Sequence, residues 1–185
     1  ALLGTEIFDP QLPLPIGISF YTFQAMSYTI DLYRRSIRVQ KSIINFTGYV
    51  TLFPQLIAGP IVRYSDVEEQ INEREISMSK TADGISIFIR GLAKKLILAN
   101  NIGAVWTLVK GMDYQTLPVL TAWIGILAFT FQIYYDFSGY SDMAIGLGKM
   151  LGFDFPANFN HPYLSKSVSE FWRRWHMTLG SWFLS

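Results

Sequence analysis

The sequence predicts an all-α, polytopic transmembrane protein, and three observations predict it. Residues 10–30, 42–62 and 114–135 carry no charged side chain, and each run is bounded by charged residues. A helix needs about 20 residues to cross a hydrocarbon core, and each run is that long. Only 16% of the chain is charged while half is hydrophobic, against about 25% charged in an average soluble domain. Two of the runs are internal, so a cleaved signal peptide does not explain them. The net charge of +1 argues against a dedicated nucleic-acid binder. The absence of cysteine excludes a disulfide framework and thiolate metal sites.

Residues 1–12 form a lead-in. Pro13 and Pro15 suit the first turn of a helix, and the run that follows is polar for a span, with Ser19, Tyr21, Thr22, Gln24 and Ser27. Such groups are tolerated facing other helices or a wet cavity, which predicts a packed interior helix. Residues 32–41 carry Arg34, Arg35, Arg38 and Lys41 and no acid, which reads either as a cytoplasmic loop under the positive-inside rule or as an ordinary solvated charge cluster. The second run ends in FPQLIAGP, where Pro54 and Gly59-Pro60 break a helix. It either crosses with a broken end lining a pocket, re-enters and turns back, or is a helix that ends at Pro54. Residues 63–80, rich in acids, lie opposite the basic loop if the run crosses and beside it if the run re-enters.

Residues 81–110 read as one helix interrupted by Arg90, Lys94 and Lys95. These cations either snorkel or form a wall for an anionic donor. The third run is the clearest span and delivers YYDFSGYSD (134–142) at its end. That cluster fits a metal site, a polar pocket, or a capped helix end with interfacial tyrosines. Gly146, Gly148 and Gly152 lack dinucleotide-loop spacing, and Ala144, Gly146 and Gly148 predict close helix packing. The chain starts at Ala1 and stops at Ser185 without a polar tail, so it is expected to be an internal fragment, 1–185, of one transmembrane domain.

The closing stretch, residues 158–183, sets two arginines and a histidine among tryptophans. Ser167 and Glu170 make a capping-box pattern, and Glu170 can pair with Arg173 or Arg174. Read as one helix, it lines up Trp172, Trp175, Leu179 and Trp182 as an apolar seam and Arg173, His176 and Gly180 as a second stripe. His161 reads as a solvent-facing loop residue. His176 is either a hydrogen-bonded structural residue or a general base for an acceptor hydroxyl, with Arg173 and Arg174 expected to hold its imidazole neutral. No G-x-S-x-G or H-E-x-x-H motif is present.

PIGISFYTFQAMSYTIDLYR (15–34), FPQLIAGPIVRY (53–64) and the continuous string 134–183 resemble the membrane-bound O-acyltransferase family, and within it the bacterial alginate and polysaccharide O-acetyltransferase branch. The D-alanyl transferase of teichoic-acid modification is a sister branch. The resemblance implies a multi-pass enzyme of the bacterial inner membrane, surrounded by lipid, with a tunnel through the bilayer. It implies no metal and no bound cofactor. The donor would be a cytoplasmic acyl thioester, acetyl-CoA or an acyl carrier, and the acceptor a hydroxyl of an exported, alginate-type polysaccharide. A periplasmic or secreted acetyltransferase partner is implied as well. His176 matches the first of two family histidines. The second, usually taken as catalytic, falls after the last residue of this sequence, so the fragment alone is expected to be inactive. Trp172, Arg173, Arg174, Trp175, Asp136, Ser138, Tyr140, Asp142, Pro54, Gln55, Gly59 and Pro60 become expected tunnel-lining residues. Competing readings are a D-alanyl transferase, a transporter or channel subunit, and a scaffold that only recruits an acyltransferase.

Overall fold

The computed structural model describes residues 17–56 and 59–184, and every regular element among them is helical. The lead-in and the proline-led helix start lie outside the described residues.

The largest unit is a helical hairpin. A first arm runs through α4 (Met78–Ala93), a π-helical segment (Lys94–Ala99) and α5 (Asn100–Lys110). The second arm is α6 (Val119–Met150). Glycines set their spacing. A Cβ on Gly91 would lie 2.5 Å from the Gly139 carbonyl oxygen, and one on Gly146 would lie 2.6 Å from that of Gly84. The two backbones touch at both crossings, which only small residues allow. Residues 81–110 thus form the expected single rod, and Gly146 packs as expected.

Two expectations about α6 change. Residues 134–142 lie inside this helix rather than at a span's end. The helix runs on because Gly139 seats against α4 and because Asp136 and Asp142 meet lysines of the π segment. It stops at Gly152, whose φ of +87° is open to glycine, where Phe153 N–H donates to the Gly148 carbonyl in a Schellman closure. The second change concerns spans. Among the described residues only α6 is long and apolar enough to cross a membrane, not one helix for each of the three runs.

The second run does not form a through-going helix. It gives α2 (Ile43–Val50), then a short 3-10 turn (Phe53–Gln55). The helix ends before Pro54, and the chain then doubles back to α3 (Tyr64–Asn72). The basic loop packs on α3 directly. Gln40 Nε2 donates to the Tyr64 hydroxyl at 3.0 Å, and Arg38 N–H donates to Glu68 Oε1 at 3.4 Å. The basic loop and the start of the acid-rich stretch therefore lie side by side. α1 (Ile18–Tyr33) buries Gln24 and Ser27, while Ser19 and Thr22, also expected to face inward, are exposed. It begins at Gly17, whose φ is +81° and where a Cβ would sit 2.3 Å from the Leu56 carbonyl oxygen. That contact ties the start of α1 to the doubled-back segment. A core of Tyr49, Val62, Tyr64, Val67 and Phe153 closes the junction.

Candidate functional site

The closing stretch is two short helices, α7 (Val168–Arg174) and α8 (Met177–Leu184), rather than one. Trp175 is extended and His176 has a φ of +46°, so the expected seam and the Arg173–His176–Gly180 stripe do not form. The cause is non-local. Asn160 N–H donates to the Arg174 carbonyl, and Met177 N–H donates to the Asn158 carbonyl, both at 2.9 Å. The 158–160 segment thus takes over backbone groups that a continuous helix would use internally. Ser167 caps α7 through Glu170 N–H, while Glu170 reaches back to Lys166 N–H rather than to the cap residue. Of the two possible arginines, Glu170 pairs with Arg174 at 2.7 Å.

Asn158 is the hub of this corner. It is 1% exposed. Its Oδ1 accepts from Thr178 Oγ1 at 2.9 Å, meets His176 Nδ1 at 3.0 Å and accepts a longer bond from Thr178 N–H at 3.4 Å. Thr178 Oγ1 in turn accepts from Ile61 N–H at 3.0 Å. The doubled-back segment is therefore bonded to the corner that carries His176. Because the Thr178 amide can only donate, the Asn158 oxygen faces it. That orientation makes His176 Nδ1 the donor and leaves the lone pair on Nε2.

The imidazole is half-buried and meets the Phe137 ring edge-to-face at 4.9 Å. Trp175 stacks on Phe171 at 5.6 Å and meets Phe159 edge-on at 5.1 Å. Burial among these groups lowers the pKa of His176 below its usual value, opposed in part by a hydrogen bond to its own backbone. Neutrality thus comes from burial. The expected repulsion by Arg173 and Arg174 is not the cause.

The structure brings together only some of the expected site residues. Trp175 lies beside His176. Pro54, Gln55, Gly59 and Pro60 are all buried in the doubled-back segment, which reaches the histidine through Ile61. Gln55 Nε2 donates to the Tyr49 carbonyl at 2.8 Å. Ser138 is 1% exposed on α6, next to Phe137, and its hydroxyl has no protein partner. Tyr140 is half-buried on the same helix. Asp136 and Asp142 face the hairpin seam, paired with Lys95 and with Lys94, the latter at 2.6 Å. Those two lysines are therefore neutralised by partners rather than forming a bare cationic wall. Trp172 and Arg173 project outward from α7. His161 is exposed in a turn, as expected, with Nδ1 at 3.2 Å from Asn160 Oδ1. Among the described residues no three His, Asp or Glu side chains converge as metal ligands would.

Asn158, Thr178 and Phe137 were not expected here. Each partner lies far along the chain, Thr178 being 117 residues from Ile61, and no periodicity reports such pairs.

Residues 26–185 match the family model described as MBOAT, membrane-bound O-acyltransferase family. The chain is 48% identical over 169 residues to the Pseudomonas aeruginosa protein named Probable alginate O-acetylase AlgI, covering 91% of this chain and 32% of that protein. It is 36% identical over 196 residues to the Peptidoglycan O-acetyltransferase of Helicobacter pylori, covering 91% and 37%. It is 28% identical over 180 residues to the Teichoic acid D-alanyltransferase of Streptococcus thermophilus, covering 91% and 42%. The chain spans about a third of the length of the first two relatives.

Proposed function

The chain belongs to the membrane-bound O-acyltransferase family, and on that premise we propose that it is part of a multi-pass bacterial inner-membrane enzyme that O-acetylates an exported polysaccharide. The alginate and peptidoglycan acetyltransferase names among its relatives support a polysaccharide acceptor. The donor in this reading is a cytoplasmic acyl thioester, and a periplasmic or secreted acetyltransferase partner completes transfer to the polymer. The doubled-back segment (Pro54, Gln55, Gly59, Pro60), with Ser138 and Trp175, forms part of the tunnel wall.

One observation carries the chemistry. His176 is half-buried with its pKa lowered, and its Nδ1 is held by Asn158. A neutral imidazole with its lone pair on Nε2 is competent as a general base, and this reading gives His176 that role although the resemblance assigns it to the second family histidine. Nε2 takes the proton of the acceptor hydroxyl. The oxygen attacks the thioester carbonyl, the carbon–sulfur bond breaks, and the departing thiolate recovers the proton. Base catalysis of this kind contributes about 10²- to 10⁴-fold.

The test is His176→Ala in the full native protein, reading ester-linked acetate on the envelope polysaccharide together with the protein's membrane level. A fall of about 100-fold or more at constant level is expected. Unchanged acetylation at unchanged level overturns the proposal. Ester-linked D-alanine in place of acetate would move the assignment to the D-alanyl branch.

A further inference from the structure

We infer that Asn158 is a positioning residue for His176, and that Thr178 locks it by coupling it to the doubled-back segment. This inference rests on the proposed role of His176 as a base.

An amide side chain has two ends, and a buried one does best with both bonded. Asn158 does not have that. Donors converge on Oδ1 from Thr178 Oγ1 and His176 Nδ1, with Thr178 N–H at longer range, while the buried Nδ2 has no protein partner. A buried donor left unpaired costs about 1–3 kcal/mol. Turning the amide over would set Nδ2 against the Thr178 hydroxyl and amide, so the threonine fixes the costly orientation. What the orientation achieves is an acceptor on Nδ1, which selects the tautomer with its lone pair on Nε2.

The lock extends to the segment 54–61. Thr178 Oγ1 accepts from Ile61 N–H and so must spend its own proton on Asn158 Oδ1. Gly59 at the turn leaves no room for a side chain, since a Cβ there would lie 2.6 Å from the Pro54 carbonyl oxygen and 3.3 Å from Ala144 Cβ on α6. A shift of the doubled-back segment would therefore reach the imidazole through three hydrogen bonds.

Ionisable groups on the elements around His176 include Tyr134, Tyr135, Asp136, Tyr140 and Asp142 on α6, His161 and Tyr163 in the 158–165 loop, Glu170, Arg173 and Arg174 on α7, and Arg63, which donates to the Ser181 carbonyl of α8. None of them accounts for the lowered pKa of His176, which comes from burial.

The experiment compares Asn158→Ala, Asn158→Asp and Thr178→Val in the full native protein, with His176→Ala alongside. Acetyl transfer is followed across pH, and membrane level is measured for each variant. Asn158→Ala should lower kcat by about 10- to 100-fold, the usual effect of losing a partner that orients a histidine, with KM little changed. Asn158→Asp removes the unpartnered Nδ2 and puts a carboxylate on Nδ1. The carboxylate favours the imidazolium, so the acid limb of the rate profile should move to higher pH. A purely structural role would leave that limb in place. Thr178→Val should fall between wild type and Asn158→Ala. If His176→Ala abolishes transfer while the Asn158 variants keep wild-type rate and profile, the positioning role is overturned and the base survives. If His176→Ala is silent, the base assignment itself fails. Should Asn158→Ala not accumulate, the pH limb of Asn158→Asp decides the question alone.

Discussion

The α4–α6 hairpin and the His176 corner are built on opposite plans. In the hairpin, two long helices touch along glycines, and its charges cancel in pairs across the seam: Lys94 with Asp142, Lys95 with Asp136. In the corner, helices are short, two histidines sit at positive φ, and cohesion comes from single hydrogen bonds between distant segments. The hairpin leaves its geometry no alternative. The corner holds a strained histidine and an unpartnered amide, features that persist only where surrounding structure over-determines them. The difference separates the rigid part of this chain from the corner that carries the proposed base.

The comparison can be broken first in the hairpin, where the effect should be largest. Gly91→Leu or Gly139→Leu forces a side chain into the partner backbone and should cost about 3 kcal/mol or more, read as loss of membrane-inserted protein and of melting temperature in detergent. Gly48→Ala is the control, because nothing lies within 4 Å of its Cβ position. It should leave the melting temperature unchanged or slightly raised.

Next come the seam charges. Lys94→Met strands Asp142, whereas Lys94→Met with Asp142→Leu strands nothing. Both side chains are about one-third exposed, so solvent screening keeps the effect modest. The single variant should lose about 1 kcal/mol and the double variant should recover part of it. A double variant worse than the single one would contradict a simple charge pairing.

The corner should give smaller stability effects. Ser167→Ala removes the cap of α7 and should cost about 1 kcal/mol, with activity falling less than for His176→Ala. His176 supplies a pH signature. Its folded pKa is lowered, so below about 6.5 the unfolded chain binds the proton more readily. Stability should therefore be fully present above that pH and decline as pH falls through the folded pKa. In His176→Gln this step should be missing from the pH dependence of the melting temperature.

Much of the hairpin was legible in the sequence because its rules are local. The uncharged run 114–135 marked the one helix among the described residues that is long and apolar enough to cross a membrane, and the small residues at 144, 146 and 148 announced close packing. The placement of 134–142 at a span's end failed because partners for Asp136 and Asp142 lie on another helix, at Lys95 and Lys94. The second run was readable as broken, from Pro54 and Gly59-Pro60, yet its direction depended on contacts such as Gln40–Tyr64. At the corner, sequence pattern found the Ser167 cap and singled out His176 and Trp175. It also drew one helix through Trp175, because the strand-like partner at 158–160 has no local signature. Asn158 and Thr178 were missed for the same reason.

The most direct measurement is the nitrogen-15 spectrum of His176 in the full native protein, assigned by comparison with His176→Gln and followed from pH 5 to 8. A neutral ring at pH 7 is expected, protonated on Nδ1 and bare on Nε2, titrating below the ordinary histidine value of about 6.5. A ring protonated on Nε2, or one still charged at pH 7, would contradict the assignment of His176 as the base held by Asn158.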